Sequence, residues 1–229
     1  MKDGFVKFPS TPHLVVLPGA TVREDKVLTA SKRLAFLDRE ITLEEKVDGA
    51  NLGISFDSNG NLQAQNRGEY LRHPYSGQWR TLYDWLIPRE DALFDALIDR
   101  YILFGEWCYA RHSVSYSRLP DWFLGFDVYD RQLERFLSVA GRDAFCSKLG
   151  IVQVPVIARG RYSLTTIIDH LRGSTYTNRP AEGLYLRSDS GGLLVQRAKI
   201  VCPEFMQSVV DHWSKSAIKP NRLALSFNK

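Results

Sequence analysis

The run "NLGISF", Asn51 to Phe56, puts Leu52, Ile54 and Phe56 at every second position, and "DSNGN" and the return run "LQAQNR" follow it. A period of two is strand geometry, and the Asn59-Gly60 pair supplies the positive φ that a two-strand turn favours. An antiparallel hairpin this early steers the chain away from a doubly wound parallel sheet. A second hairpin follows from "EGLYLRS", the turn "DSGG" and "LLVQRAKIV". "ITLEEKV", "YILFGEWCY" and "DWFLGFDVYD" also read as strands. Helices are expected over "SGQWRTLYDWL", "PREDALFDALIDR", "GRDAFCSKLG" and "SLTTIIDHLRG", the second opening with Pro88 and then acids, as a helix N-terminus prefers. Hairpins interrupted by helices predict an α+β fold, antiparallel sheets flanked by helices.

No repeat, low-complexity tract or linker interrupts the 229 residues, so one domain, 1–229, is expected. Within it, about 200–229 form a short C-terminal helical extension. Its helix, "PEFMQSVVDHWSK", carries Phe205, Val209 and Trp213 on one face, and a basic tail with Lys215, Lys219 and Arg222 follows. A hydrophobic content of 44% supports a real core, and a net charge of +4 permits a polyanionic partner without specifying one. The three cysteines, Cys108, Cys146 and Cys202, form no C-x-x-C pair, which fits a reducing compartment and gives no zinc site. No apolar run approaches the ~18 residues of a membrane span. The sequence therefore predicts a soluble, cytoplasmic protein without a membrane partner.

Lys46, in "LEEKVDGANLGISF", sits between an acidic strand and a glycine. A lysine there is ordinarily a surface charge. As a nucleophile its amine has to be neutral, so cations or desolvation would have to lower its pKa, and Gly49 would let a phosphate approach the backbone. Downstream come Glu106 in "FGEW", Phe126 and Asp127 in "FLGFDVY", Glu182 and Arg187 in "EGLYLR", and Arg197 and Lys199 in "VQRAKIV". Each alone is weak, but together, in this order, they form a joint signal.

That order resembles the covalent nucleotidyltransferase superfamily of polynucleotide ligases and messenger-RNA capping enzymes. Lys46-Val47-Asp48-Gly49 looks like its first motif, Glu106 its third, and Phe126-Asp127 the intermediate aromatic motif. Glu182-Gly183 through Arg187 resembles the fourth and Arg197-x-Lys199 the fifth. Asn51, Arg67 in "QNRG" and "TPHL" at Thr11 to Leu14 make the chain most similar to RNA ligases related to the nick-sealing RNA ligase of phage T4. The resemblance spans about residues 10 to 225.

It implies an ATP-dependent RNA ligase that joins 3′-hydroxyl and 5′-phosphate RNA ends, as in a nicked duplex, through a covalent lysyl-AMP and an adenylylated 5′ end. Lys46, Glu182, Lys199 and Arg197 are the expected catalytic residues. ATP or AMP would be held by these with Asn51, Arg67, Glu106 and Phe126. Lys199 would grip the α-phosphate and Phe126 would stack on adenine. Glu182 and Glu106 are the expected ligands of Mg2+ or Mn2+, Glu106 alternatively binding the ribose hydroxyls. Arg67 would meet either the RNA 5′-phosphate or the ATP phosphates. Asn51 would organise a metal water or the departing pyrophosphate, and Asp48 would fix the loop or shift the lysine's pKa.

Two departures stand out. Arg197 occupies a position where the fifth motif usually has lysine, and only about 30 residues follow Lys199, where family ligases commonly carry a second domain. A partner protein supplying that domain or an end-healing activity is one expectation, and a minimal ligase is the other. The alternatives are a minimal ATP-dependent DNA ligase, a capping enzyme, and a degenerate nucleotide- or RNA-binding module. The five histidines form no metal spacing and read as structural, with His112 expected nearest the site. "YLRHPYSGQWR", Tyr70 to Arg80, either grips a single-stranded end or is a connector feeding a helix.

Overall fold

The computed structural model describes residues 4–20, 22–208 and 218–225. Among the described residues nine strands form two antiparallel sheets, as the hairpin pattern predicts. Helix α1 (Ala30–Leu37) precedes β1 (Ile41–Lys46), β2 (Ala50–Phe56) and β3 (Leu62–Gln65). Then come α2 (Leu82–Leu86), α3 (Glu90–Leu97), β4 (Tyr101–Trp107), β5 (Phe123–Asp130), β6 (Arg135–Phe136) and α4 (Val139–Lys148). Strand β7 (Val156–Gly160), α5 (Leu164–Asp169), β8 (Gly183–Ser190), β9 (Leu193–Val201) and α6 (Pro203–Ser208) complete the order. One sheet runs β7-β1-β8-β9 and the other β3-β2-β4-β5-β6.

The two hairpins form where the turn chemistry puts them. Gly60 adopts φ 79°, and Gly191 and Gly192 adopt φ 58° and 78° between β8 and β9. Strand β7 and helix α1 were not legible as periodic segments. The helix expected over residues 76–86 is split into a 3-10 turn, Gly77–Trp79, and α2. Val209, Trp213, His212 and Lys215 lie outside the described residues.

Each sheet buries an apolar face under helices. Leu52, Ile54 and Phe56 pack with Leu82, Trp85, Leu86, Leu93 and Leu97 from α2 and α3. Ile41 and Leu43 of β1, Leu184 and Leu186 of β8, and Ala198 and Ile200 of β9 pack with Phe36 of α1 and Ile167 of α5. Strand alternation then assigns Glu44, Lys46, Tyr185, Arg187, Arg197 and Lys199 to the opposite face. In most half-buried sheets that face meets water. Here it meets the second sheet, and the functional side chains lie between the two. Among the described residues no helix is long and apolar enough to cross a membrane.

Candidate active site

Lys46 is the last residue of β1 in one sheet, and Ala50 opens β2 in the other, so Val47 to Gly49 carry the chain between sheets. Gly49 allows a close approach, though of backbone and not of a ligand: a Cβ there would lie 2.6 Å from the Trp107 carbonyl oxygen and 3.0 Å from Glu106 Cγ. In return the Gly49 amide donates to Glu106 Oε1 at 3.0 Å, fixing that carboxylate beside the lysine. Asp48 is tied down as well. Its Oδ2 accepts from the amides of Ser113 and Val114, both at 2.7 Å, and its own amide donates to Tyr116 Oη at 2.8 Å. The junction that follows the lysine is thus tied down at both Asp48 and Gly49.

Lys46 Nζ donates to Glu182 Oε2 at 2.6 Å. Glu182 immediately precedes β8, whose Gly183 pairs with Lys46 on β1 and with Val201 on β9. Lys199 lies opposite Tyr185 on the same face. The "TPHL" segment runs along β9: the Lys199 amide donates to the Pro12 carbonyl at 3.0 Å, and the Leu14 amide to the Lys199 carbonyl at 2.8 Å. His13 thereby comes to line a cavity with Lys199, Glu182 and Asp48.

Two cavities meet at the lysine. The first, about 170 Å³, is lined by Lys46, Asn51, Arg67, Glu106, Phe126, Glu182 and Lys199. Phe8, Thr11, Val47, Val154 and Tyr185 line it as well, and Glu44, Glu45 and Arg187 complete its walls. The second, about 490 Å³, shares Lys46, Asn51, Arg67, Glu106 and Glu182 with the first and extends to Asn66, Gln78 and Trp79. Arg67 is exposed, on a turn closed by Asn66 Oδ1, which accepts from the amides of Gly68 at 2.7 Å and Glu69 at 2.9 Å. Asn51 Oδ1 is buried with no hydrogen-bond partner.

One wall of the first cavity, Glu44 and Arg187, belongs to an ionic cluster closed on itself by ion pairs. Arg187 donates to Glu44 at 2.5 Å, to Asp127 at 2.6 Å and to the Phe126 carbonyl at 2.7 Å. Arg142 of α4 donates to Glu44 Oε1 at 2.5 Å and to the same Phe126 carbonyl at 3.1 Å. Two buried guanidinium groups therefore hold the backbone of the aromatic residue that walls the cavity. Phe8 packs against the Phe126 ring, centroids 5.2 Å apart.

The electrostatics of the lysine differ from the expectation. Burial pulls the Lys46 pKa down, but Glu182, Glu106 and Asp48 together outweigh it and hold the amine above its ordinary value. The net shift is thus upward, set by carboxylates and not by flanking cations. Glu106 is pushed up to about 8, by burial first and then by the negative charges of Glu182 and Asp48. Lys199 is drawn down to about 8 by burial and by the Lys46 charge, and His13 to about 4 by burial and the neighbouring lysines.

Seven of the eight residues expected at the site, Lys46, Asn51, Arg67, Glu106, Phe126, Glu182 and Lys199, line the cavity. Arg197 does not. Its guanidinium donates to Asp127 at 2.9 Å and sits 4.1 Å from the Phe136 ring centroid and 5.0 Å from that of Phe8. Strand parity puts Arg197 and Lys199 on one face, but two residues along β9 the cleft has given way to the closed cluster. The sequence reading missed Phe8 and Tyr185, and Arg142. It treated His13 as structural and gave Thr11 no role beyond the "TPHL" segment. Thr11 Oγ1 lies 2.7 Å from Tyr185 Oη. His112 reaches the site indirectly, its Nε2 2.9 Å from Gln78 Oε1.

Comparison with the curated proteins found no match. Among solved structures, Naegleria gruberi RNA ligase with PPi is 18% identical with a TM-score of 0.60, over 76% of this chain and 52% of that one. A mutant of the same enzyme with AMP and Mn is 15% identical with a TM-score of 0.65, over 89% of this chain and 58% of that one. A further mutant with ATP and Mn is 15% identical with a TM-score of 0.57, over 76% and 52%. At such identities the likeness speaks to the fold, and the chain spans about half the length of the first of them. The family model described as RNA ligase matches residues 39–201. With its motif residues gathered around Lys46 and that match covering more than half of its length, the chain belongs to the RNA ligase family.

Proposed function

We propose that this chain is an ATP-dependent RNA ligase working through a covalent lysyl-AMP, with Lys46 as the nucleophile. The observation that carries the reading is the convergence of Glu106, Glu182, Lys199 and Arg67 around the Lys46 amine from four separate stretches of chain. Family membership supports it, as does the fold shared with a ligase solved with ATP, AMP and Mn.

In the first step the Lys46 Nζ–phosphorus bond forms as the bond from the α-phosphorus to pyrophosphate breaks. The amine attacks as the free base, so its proton has to leave. Glu182 Oε2, at 2.6 Å, is the atom placed to take it, and burial raises the Glu182 pKa in the direction that suits a proton acceptor. Lys199 meets the α-phosphate oxygens, where charge builds during the displacement. Phe126 stacks on the adenine, and Val47 and Val154 close around it. In the second step an oxygen of the RNA 5′-phosphate attacks, the nitrogen–phosphorus bond breaks and the amine regains a proton. In the third step the 3′-hydroxyl attacks the adenylylated end and AMP leaves. Arg197 acts from behind, neutralising Asp127.

The donor set fits a hard divalent cation. Glu106 and Glu182 are oxygen ligands lining one cavity, and the orphaned Asn51 Oδ1 beside them lacks a donor that a metal-bound water would supply. Among the described residues no group of three His, Cys, Asp or Glu side chains is arranged around a metal position, so such an ion would keep several waters. Mg2+ or Mn2+ held there would neutralise phosphate charge during the displacement.

A nicked duplex is the proposed substrate, in a cytoplasmic setting, with a partner protein supplying further grip on the strand or preparing its ends. A panel of nicked duplexes tests this reading. Sealing should occur when RNA supplies the 3′-hydroxyl end, and equal sealing of an all-DNA nick would favour the DNA-ligase alternative.

A further inference from the structure

We propose that the second cavity seats the first nucleotide of the strand end, with Trp79 as the platform for its base and Gln78 as the hydrogen-bonding residue for its sugar or base edge. The inference rests on the ligase reading and adds to it a pair of residues outside every motif.

An in-line displacement puts the entering and leaving atoms on opposite sides of one phosphorus. With adenosine in the first cavity and Lys46 on one side of the α-phosphorus, the exchanging group has to approach from the other. The two cavities meet at Lys46, Asn51, Arg67, Glu106 and Glu182, so the second is the space continuous with that approach. Its lining divides by chemistry. Lys46, Asp48, Glu106, Glu182 and Arg67 carry all of its charge, whereas Asn66, Gln78 and Trp79 form a neutral wall. A neutral polar and aromatic wall does not hold a phosphate. It suits a base and a sugar, leaving the 5′-phosphate to Arg67, which makes no ion pair or hydrogen bond with the described residues.

The wall is held rigidly. The Trp79 ring stacks at 25° on Trp107, centroids 6.4 Å apart, with the indole half-buried. Trp107 is itself fixed, its Nε1 donating to the Gln78 carbonyl at 2.8 Å. The Gln78 side chain is turned by His112, whose Nε2 lies 2.9 Å from Gln78 Oε1. With that oxygen engaged, the amide nitrogen is left to donate to a ligand. One residue thus anchors the platform through its backbone and addresses the ligand through its side chain. The platform belongs to the aromatic-basic stretch Tyr70 to Arg80, in which Arg72, His73 and Arg80 are exposed. Such an arrangement of stacking surface and nearby cations is what single-strand binding uses.

The test loads the protein with labelled AMP, removes ATP, and follows single-turnover transfer of label to 5′-phosphorylated RNA at increasing concentration. Trp79→Ala and Gln78→Ala are expected to raise the half-saturating RNA concentration about 10-fold or more, the scale of one lost base-stacking contact. The ATP concentration for half-maximal self-labelling should shift far less. Trp79→Phe, which keeps a ring on Trp107, should recover most of the RNA affinity and guards against misfolding of the alanine variant. Unchanged RNA saturation in Gln78→Ala and Trp79→Ala would overturn the proposal while leaving the ligase reading intact, as would parallel shifts for RNA and ATP. A wild-type chain that takes no label would overturn both.

Discussion

Strands β1, β8 and β9 carry two ionic clusters side by side, built from neighbouring residues of the same strands and opposite in character. In one, Glu44, Arg187 and Arg197 join Asp127, Arg142 and the partly exposed Asp143, three guanidinium groups paired with three carboxylates. In the other, two residues along from Glu44 and Arg197, Lys46 and Lys199 meet Glu182 and Glu106 in an open cleft. There burial outweighs the opposite charges nearby, so Glu106 is displaced to about 8 and Lys199 to about 8 from opposite directions. A cluster closed by its own ion pairs holds geometry, and one whose charged groups are displaced by burial in an open cleft is poised to receive phosphate, metal or proton. The first fixes the frame on which the second can be reactive.

The sharpest way to break this contrast is to remove one charge from each side. Arg187→Met leaves Glu44 and Asp127 buried without a main partner and should cost roughly 3–5 kcal/mol of stability, read by urea or thermal unfolding. Lys199→Met should show the reverse signature. It removes a cation already penalised by burial, so stability should stay within about 0.5 kcal/mol, while covalent labelling by ATP should fall about 10²–10³-fold, the usual loss for one charge-stabilising donor. If Lys199→Met unfolds the protein, or Arg187→Met leaves it stable, the division of labour is wrong. The smallest expected effect is that of Arg197→Lys. Lysine keeps the charge between Asp127 and the Phe136 ring and loses only the guanidinium geometry, so a cost of about 1 kcal/mol and near-normal labelling are expected. A large loss of labelling with unchanged stability would instead put Arg197 on the phosphate.

Much of this was legible in the sequence because strand geometry is periodic. Alternation along "NLGISF" and the turn residues of "DSNGN" and "DSGG" gave strands and hairpins, and strand spacing alone points Arg197 and Lys199 to one face. What parity does not encode is distance along the strand. Two residues span roughly 6.6 Å, enough to move Arg197 from an open cleft into a pocket between Phe8 and Phe136. Residues outside the periodic segments were harder still. Phe8 and Thr11 act through an N-terminal segment without alternation, and Arg142 lies on a helix outside every motif. The direction of the Lys46 pKa was beyond reach for a related reason. It is the net field of Glu182, Glu106 and Asp48, two of which fold in from more than fifty residues away.

The central claim concerns the amine at position 46. The protein should be incubated with α-phosphate-labelled ATP and magnesium or manganese, denatured, digested and mapped. The account predicts label on the peptide containing Lys46, in an acid-labile bond, and none on a folded Lys46→Ala variant. Label persisting in that variant, or mapping to another residue, would contradict it.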